Sequence, residues 1–114
     1  MRTDRPWGYY EILGNSSAFQ VKIIHVNAGK RLSLQSHKYR AEHWFIVSGE
    51  AIVQKGDQVF VLNGGHSIDI SQGEIHRISA PIESDVEFIE VQTGSSFDED
   101  DIVRFEDDFG RINI

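Results

Sequence analysis

Residues 32–49 read LSLQSHKYRAEHWFIVSG, and this stretch decides both the fold and the chemistry that we expect. Gln35 and His37 are two positions apart, so on an extended strand their side chains point to the same side. Glu42 follows at the start of the next predicted strand, and His76 ends a second stretch, GHSIDISQGEIH, at residues 65–76. Divalent metals accept imidazole nitrogens together with carboxylate and amide oxygens. The four residues therefore form a candidate metal site that leaves room for a substrate.

The rest of the chain has the pattern of short β-strands separated by turns. Short segments of alternating or continuous apolar residues, three to nine residues long, are separated by turn signals such as Gly14-Asn15, Gly56-Asp57 and Gln72-Gly73. Within residues 42–47, Glu42, Trp44 and Ile46 share one face of the predicted strand. Many short strands at regular spacing indicate an all-β sandwich or barrel. The predicted strands cover residues 9–13, 19–26, 32–34, 43–47, 51–55, 58–62, 67–70, 76–79 and 85–93.

The last twenty residues differ from the rest, because they include the acidic sequence DEDDIVRFEDDFGR. Composition alone allows a solvated, partly frayed tail. However, Ile102, Phe105 and Phe109 are spaced as on one face of a helix. We therefore expect a short helical or ordered C-terminal arm that packs on the barrel.

Composition limits the classes of function. A chain of 114 residues forms one domain, here residues 1–114. It has no cysteine, which leaves His, Gln, Asp or Glu as metal ligands, and its net charge of −7 disfavours nucleic acid as a partner. Without a signal peptide or a long apolar run, we expect a cytoplasmic protein with no membrane partner. His25 and His66 have no second candidate metal ligand at a suitable spacing. We therefore interpret them as ordinary strand or surface histidines.

The two stretches resemble the paired motifs of the cupin superfamily, G-x5-H-x-H-x3,4-E-x6-G and G-x5-P-x-G-x2-H-x3-N. Three positions depart from these motifs: Gln35 replaces a His, Ser71 a Pro and Ala80 an Asn. A Gln-x-His pair is similar to that of phosphomannose isomerases. The segments RPWGYYEIL, FQVKIIHVNAG, IEVQTG and DEDDIVRFEDDFGR extend the likeness over about residues 5–111. The chain thus resembles the C-terminal cupin domain of type II mannose-6-phosphate isomerases.

This resemblance implies a cupin fold, a double-stranded β-helix or jelly-roll barrel. It implies interconversion of mannose 6-phosphate and fructose 6-phosphate, in which a base removes the proton α to the carbonyl and an enediol forms. It places a divalent metal, typically zinc, with manganese, cobalt or nickel as alternatives, on Gln35, His37, Glu42 and His76. The family is usually fused to a guanylyltransferase domain; these 114 residues hold no Gly-rich nucleotide-binding loop, so we expect no GDP-mannose synthesis in them.

Three basic residues are candidates for substrate contact and catalysis. Lys22 lies within the apolar strand FQVKIIHV, where it either extends to solvent or faces a polar pocket. Arg40 lies in the predicted loop between His37 and Glu42, where it either clamps a phosphate or pairs with a surface carboxylate. The resemblance implies that the C-terminal arm closes over the pocket and delivers Arg104; without it, Arg104 is a solubilising charge.

Two other functions remain open at this point. One is a metal- or sugar-phosphate-binding module without catalysis, or a cupin acting on a different sugar. The other is oxygen-dependent chemistry with iron, which Gln35 in place of a histidine disfavours. We also expect a homodimer, since pairing removes exposed strand edges, with residues 6–13 as a strand that two subunits could exchange.

Overall fold

The structure is a computed structural model that describes residues 2–111. Within these residues the regular structure is all β, apart from one three-residue 3-10 turn at Glu99–Asp101, and it contains no α-helix. The prediction of an all-β domain is therefore confirmed. The strands are β1 (Arg2–Arg5), β2 (Gly8–Asn15), β3 (Phe19–Val26), β4 (Leu34–His37), β5 (Arg40–Ser48), β6 (Glu50–Lys55), β7 (Gln58–Asn63), β8 (Ser67–Ile70), β9 (His76–Ser79), β10 (Val86–Gly94) and β11 (Ile102–Glu106).

The strands form two antiparallel sheets. One sheet has six strands in the order β1-β2-β3-β10-β5-β8, and the other has five in the order β11-β4-β9-β6-β7. The chain moves between the sheets repeatedly, so β4 and β5 are consecutive in sequence but belong to different sheets. This crossing brings residues from both sheets to one interior.

The interior has an apolar half and a polar half on the same strands. On β5 the buried side chains run from Arg40 and Glu42 to Trp44 and Ile46. The facing strand β10 runs in the opposite direction, from buried Val86 and Phe88 to Glu90 and Gln92. In register, Ile46 pairs with Phe88 while Glu42 pairs with Gln92. The apolar half packs as a core with residues of both sheets, which are Trp7, Ile24, Val26, Trp44, Ile46, Ala51, Val53, Ile70, Ile78, Ala80, Val86 and Phe88.

Two predicted boundaries were wrong in a way that affects the site. The strand expected at residues 32–34 is β4, which begins at Leu34 and carries both Gln35 and His37. The strand expected at residues 43–47 is β5, which already begins at Arg40. Arg40 is therefore a strand residue, and the turn between β4 and β5 is only Lys38 and Tyr39. Strands β1 and β11 were not predicted.

The C-terminal arm is ordered, but the helix expected from Ile102, Phe105 and Phe109 is absent. After the 3-10 turn, the arm continues as β11, which pairs antiparallel with β4. Phe109 packs against the core, whereas Phe105 is exposed. The spacing of Ile102, Phe105 and Phe109 was misleading, because β11 and the turn after it also bring Phe109 back to the barrel. Pairing with a strand more than sixty residues earlier in the chain fixes the arm.

Two glycines allow the close approaches that shape the site. Gly73 has a φ of +78°, and its N–H donates to the carbonyl of His37 at 2.7 Å, as the turn before β9 requires. Gly94 ends β10 at a φ of +148°, and a Cβ there would lie 2.2 Å from the carbonyl oxygen of Tyr39. A side chain at Gly94 would therefore push β10 away from the turn that joins β4 to β5.

Candidate metal centre and substrate pocket

Three predicted ligands converge in the polar half of the interior. His37 comes from β4, Glu42 from β5 and His76 from β9, and one ligand atom of each lies within 4.8 Å of the others. All three side chains are buried. The Nε2 of His37 lies 3.6 Å from Oε2 of Glu42, and the two imidazole rings meet edge to face at 4.6 Å between centroids. The two sheets thus bring together residues that are up to 39 positions apart in the chain.

Each histidine has one ring nitrogen with no partner. The Nδ1 of His37 and the Nε2 of His76 are buried and have no hydrogen bond within residues 2–111. The Nδ1 of His76 lies 2.8 Å from the carbonyl oxygen of Glu74, so this nitrogen carries the proton and donates it. Its Nε2 is then a free lone pair, as in histidines that bind metals. Buried polar atoms are normally paired, so the free Nε2 of His76 indicates a missing ligand.

Burial keeps both histidines neutral. It lowers the pKa of His37 to about 4, and the negative charge of Glu42 offsets only part of this effect. The pKa of His76 is also lowered, chiefly by burial. Metal binding needs a neutral imidazole, so both histidines are ready to bind at neutral pH.

Glu42 lies beside a second buried carboxyl group, Glu90. The indole N–H of Trp44 donates to Oε1 of both, at 3.0 Å to Glu42 and 3.2 Å to Glu90. The side-chain amide of Gln92 donates to Oε2 of both, at 2.9 Å and 3.2 Å respectively. The pair is therefore held at both ends by donors from β5 and β10.

The two carboxyl groups differ in protonation. Burial alone would raise the pKa of Glu42, but its hydrogen bond with Glu90 and the positive charge of Arg40 help to bring it down to about 2. Burial, followed by the charge of Glu42, raises the pKa of Glu90 well above the usual 4.5. Glu42 is thus the ionised member that faces the histidines, and Glu90 holds the proton.

Gln35 lies where the sequence analysis expected it. It lines the same cavity as His37 and Glu42, and it pairs in register with His76 on β9. On its other side it pairs with Arg104 on β11. The amide oxygen is a suitable ligand for the same ion, and its role as one stays a prediction.

Lys22 and Arg40 both face the interior. Lys22 is buried, lines the cavity and places Nζ 4.5 Å from the ring centroid of Tyr10, so it is not a solvated surface lysine. Arg40 is also buried; its Nε donates to Oε2 of Glu42 at 3.3 Å and its Nη1 to the carbonyl of Asp98 at 3.0 Å. Arg40 therefore pairs with a buried carboxylate of the site and not with a surface one.

Arg104 reaches the cavity from β11, as the resemblance implied. Its Nε is buried and has no hydrogen-bond partner within residues 2–111. Burial lowers the pKa of Arg104, and the nearby charges of Arg111 and Arg5 lower it further. The buried Nε of Arg104 is therefore a donor without an acceptor in the part of the chain that the structure describes.

The sequence analysis missed several residues of the pocket. Glu90 and Gln92 lie in the segment IEVQ, and their alternation with apolar residues on an otherwise buried strand was the available signal. Arg5, Glu99 and Arg111 also line the cavity. Nothing in their local sequence marks them; Glu99 and Arg111 reach the pocket because β11 pairs with the distant strand β4, and Arg5 because it ends β1, which pairs with β2.

The other histidines lie elsewhere. His43 is on the outer face of β5, and its Nδ1 lies 2.6 Å from Oδ1 of Asp69. His25 contacts Asp85 and Glu87 and stacks on Tyr9. The Nδ1 of His66 accepts the backbone N–H of Asn63. None of the three is within the cluster formed by His37, Glu42 and His76.

With this geometry in place, comparison with known proteins identifies the family. Residues 1–107 match the family described as "Mannose-6-phosphate isomerase C-terminal". The chain belongs to this family. It is 51% identical over 107 residues to the xanthan biosynthesis protein XanB of Xanthomonas campestris pv. campestris, covering 94% of this chain and 23% of XanB. It is 49% identical over 107 residues to the alginate biosynthesis protein AlgA of Pseudomonas aeruginosa, covering 94% and 22%.

The chain thus spans only about a quarter of the length of these curated relatives. Among solved structures, it superposes with a TM-score of 0.77 on an RmlC-like cupin from Shewanella frigidimarina, at 19% identity and with 88% and 86% of the two chains covered. At this identity the likeness shows the fold, and the predicted cupin fold is confirmed. Within residues 2–111, no helix has the length and apolar character needed to cross a membrane.

Proposed function

We propose that this protein is a metal-dependent aldose–ketose isomerase that interconverts mannose 6-phosphate and fructose 6-phosphate. One observation supports this most strongly. In a chain of the mannose-6-phosphate isomerase C-terminal family, His37, Glu42 and His76 are buried and place one ligand atom each within 4.8 Å of the others. Families that share the cupin fold differ in activity, so the proposal rests on these residues and the family, and not on the fold.

The residues fit a divalent ion. His37, Glu42 and His76 would hold it, with Gln35 as the fourth ligand, and zinc is the ion we expect; manganese, cobalt and nickel are alternatives with similar ligand preferences. A bound ion supplies positive charge that stabilises negative charge developing on substrate oxygens. With four protein ligands, the ion would take a substrate oxygen as a further ligand, as catalytic zinc sites do when they expand beyond four ligands.

The protein groups around these ligands control charge and position. Arg40, Trp44 and Gln92 hold Glu42 ionised and fix its direction, so they act through the ligand. Lys22 and Arg104 face the cavity directly and are the cations that we propose contact the substrate. Glu90 adds a proton-bearing carboxyl group at the same wall. An isomerisation moves a proton between adjacent carbons, and such a site offers groups in both protonation states.

Substrate entry requires the arm to move. The cavity measures about 60 Å³, far below the roughly 300 Å³ or more of typical small-molecule pockets. Its outer wall includes Glu99, Ile102, Arg104 and Arg111, all from the C-terminal arm. Displacement of this arm is the simplest way to admit a hexose phosphate.

A coupled assay tests the proposal. Purified protein loaded with zinc, manganese or cobalt, and a chelated control, are given mannose 6-phosphate, and fructose 6-phosphate is measured. We expect turnover with at least one metal and none after chelation. Equal turnover in the chelated protein would exclude the metal mechanism. Binding of the sugar phosphate without turnover, by fully loaded and folded protein, would support a non-catalytic binding module or a different sugar substrate instead.

The homodimer and the cytoplasmic location stay predictions. Strand β2 has both neighbours, β1 and β3, from its own chain, so strand exchange is not needed to complete the sheet. The outer face of the six-stranded sheet carries an apolar row, Ile23, Ile89 and Phe45, on neighbouring strands. Light scattering at micromolar concentration tests the dimer, and a monomer would remove it.

A further inference from the structure

The edge strand β7 has backbone groups that no other strand covers. It ends the five-stranded sheet, and within residues 2–111 it pairs with β6 alone. The two-residue turn at 56–57 makes Lys55 and Gln58 the first hydrogen-bonded pair of this hairpin. Because hydrogen-bonded pairs alternate along the ladder, Phe60 and Leu62 also bond to β6. The N–H and C=O groups of the odd-numbered residues of β7 therefore point away from β6.

The odd-numbered residues of β7 are Val59, Val61 and Asn63. The N–H of Asn63 donates to Nδ1 of His66 at 3.0 Å, and its carbonyl accepts the N–H of His66 at 3.0 Å. These two bonds agree with the hairpin pattern, because both lie on the side away from β6. Val59 and Val61 are 66% and 56% exposed and have no such cap within residues 2–111. Their row of backbone donors and acceptors is a template for a further strand.

The other edge strands have protection that β7 lacks. Strands β1 (RTDR), β8 (SIDI) and β11 (IVRFE) each contain at least one charged residue, and none is longer than five residues. Strand β7 reads QVFVLN, which is six residues without a charge. Proteins protect sheet edges by charge, by short length or by covering them. Among the edges of the described residues, β7 is therefore the one suited to pairing with another chain.

A second copy of this chain fits this edge. Each copy has a net charge of −7, so two copies repel each other least where the contact surface is uncharged. A twofold axis would place β7 antiparallel to β7 of the second copy, as in isologous dimers. Val59 would then lie opposite Val61 of the second copy, and Val61 opposite its Val59. Each of these two pairs exchanges two backbone hydrogen bonds, which uses both valines fully.

The neighbouring registers leave one valine without a partner. Shifting the pairing in one direction sets Val59 opposite Asn63, whose backbone groups already bond to His66. Shifting it in the other direction sets Val61 opposite Asp57, a charged residue of the turn. The register with Phe60 on the twofold axis avoids both conflicts. It also brings the apolar side chains of Val59 and Val61 together across the new edge, and such cross-strand pairs stabilise a sheet.

We propose that β7 is the dimerisation edge of this protein, and that two copies join their five-stranded sheets through the pairing of Val59 with Val61. No exchange of residues 6–13 is needed. Strand β11 lies at the opposite end of the same sheet, and neither valine lines the cavity beside the metal ligands. The arm of each subunit therefore stays free to open, and this inference does not rest on the proposed function.

Sedimentation velocity between about 1 and about 100 μM tests the edge, because so small an interface should associate more as the concentration rises. The double variant Val59→Lys, Val61→Lys sets like charges opposite each other and should dimerise at least about tenfold more weakly. Val59→Glu, Val61→Glu should do the same. An equal mixture of the two variants should dimerise again, since Lys then faces Glu. A wild type that is monomeric throughout this range would overturn the proposal.

Two further variants serve as controls, and a thermal melt checks that each variant is folded. Ile82 is 83% exposed in the loop before β10, so Ile82→Lys makes the same chemical change away from the edge and should dimerise as the wild type does. Phe45→Lys adds a charge to the outer face of the six-stranded sheet. If Phe45→Lys separated the subunits while the folded lysine variant of β7 did not, the dimer would form through that face and the proposal would be wrong.

Disulfide formation tests the register. The chain has no cysteine, so introduced cysteines have no background. Paired Cα atoms of Val59 and Val61 would be about 5.5 Å apart, within disulfide range. Two copies of Val61 would be about 8–9 Å apart, which is too far. Under a mild oxidant, a mixture of Val59→Cys and Val61→Cys proteins should therefore cross-link. Cross-linking of Val61→Cys alone, without cross-linking in the mixture, would contradict the pairing.

Activity separates this inference from the proposed function. Zinc content and turnover per chain should equal those of the wild type in the lysine variant of β7, because the cavity lies elsewhere. A wild-type dimer that depends on Val59 and Val61 but has no isomerase turnover would support the edge and remove the isomerase. Full turnover in a wild-type protein that stays monomeric would do the reverse.

Discussion

The barrel wall and the C-terminal arm surround the same cavity but are built differently. The wall supplies His37, Glu42 and His76 from three strands whose side chains are buried, with the Glu42–Glu90 pair held by Trp44 and Gln92. The arm has no buried residue in β11 or in the turn before it, and ion pairs and hydrogen bonds tie it down. The difference separates two tasks, because a rigid wall fixes the ligands while a lightly held arm can open for a substrate.

The arm's attachments lie along its whole length. Asp101 accepts the backbone N–H groups of Lys38 and Tyr39, at 3.0 and 2.9 Å. Arg77 on β9 donates to a side-chain oxygen and the carbonyl of Glu106, at 3.2 and 3.3 Å. Such contacts stabilise less than apolar burial when they are solvent-exposed. We therefore expect the arm to open well before the barrel unfolds.

The largest effect is expected on the wall, from His37→Ala. Loss of a residue that only hydrogen-bonds a metal ligand lowers metal affinity by up to about 100-fold. Loss of a ligand itself should lower zinc affinity by more than this and should abolish turnover. Zinc content after dialysis and the coupled assay measure both. The control is His43→Ala on the outer face of the neighbouring strand, which should bind zinc as the wild type does. Equal zinc binding by His37→Ala would place the metal elsewhere.

The next effect concerns the protonated carboxyl group of the wall. Since the pKa of Glu90 is raised in the folded protein, Glu90 contributes stability that is present below its unfolded value of 4.5 and is lost as pH rises towards the folded value. Glu90→Gln keeps a neutral group at all pH values. The free energy of unfolding of Glu90→Gln should therefore rise relative to that of the wild type above pH 4.5. The difference should grow by up to about 1.4 kcal/mol per pH unit.

Urea unfolding without added metal, at several pH values, measures this difference. Glu87→Gln is the control, because Glu87 lies on the outer face of the same strand and contacts His25. This variant removes a carboxyl group of β10 that lies outside the buried Glu42–Glu90 pair. A difference between Glu90→Gln and the wild type that does not change with pH would mean that Glu90 is ionised, and that the wall is more open to water than its burial indicates.

The smallest effect is expected on the arm, from Arg77→Gln. Arg77 is buried and holds both the carbonyl of Leu32 and Glu106, so its loss should weaken the closed arm by about 1–2 kcal/mol. Hydrogen exchange of the β11 amides should become about tenfold faster or more, while zinc content stays constant. Arg2→Gln, which breaks an exposed pair with Asp4, is the control and should change neither. Simultaneous acceleration across β5 and β10 would show that wall and arm open as one unit.

The strand faces of the wall's ligands could be predicted from the sequence, whereas the strand pairing that places the arm could not. The alternation of Gln35 with His37, and of Glu42 with Trp44 and Ile46, places each set on one strand face, so local pattern fixed the direction of these side chains. The arm depends on pairing between Arg104 and Gln35, 69 positions apart, which no local pattern encodes. The helix-like spacing of Ile102, Phe105 and Phe109 even favoured the wrong element. Arg111, which follows β11, was missed for the same reason.

The most direct test of the account is a metal titration of activity. Mannose 6-phosphate turnover is measured while zinc is added to chelated protein, alongside His37→Ala. The account predicts that turnover rises in proportion to zinc, reaches a plateau near one ion per chain and is absent in the variant. Turnover that does not depend on zinc, or that is equal in His37→Ala, would contradict a catalytic metal on His37, Glu42 and His76.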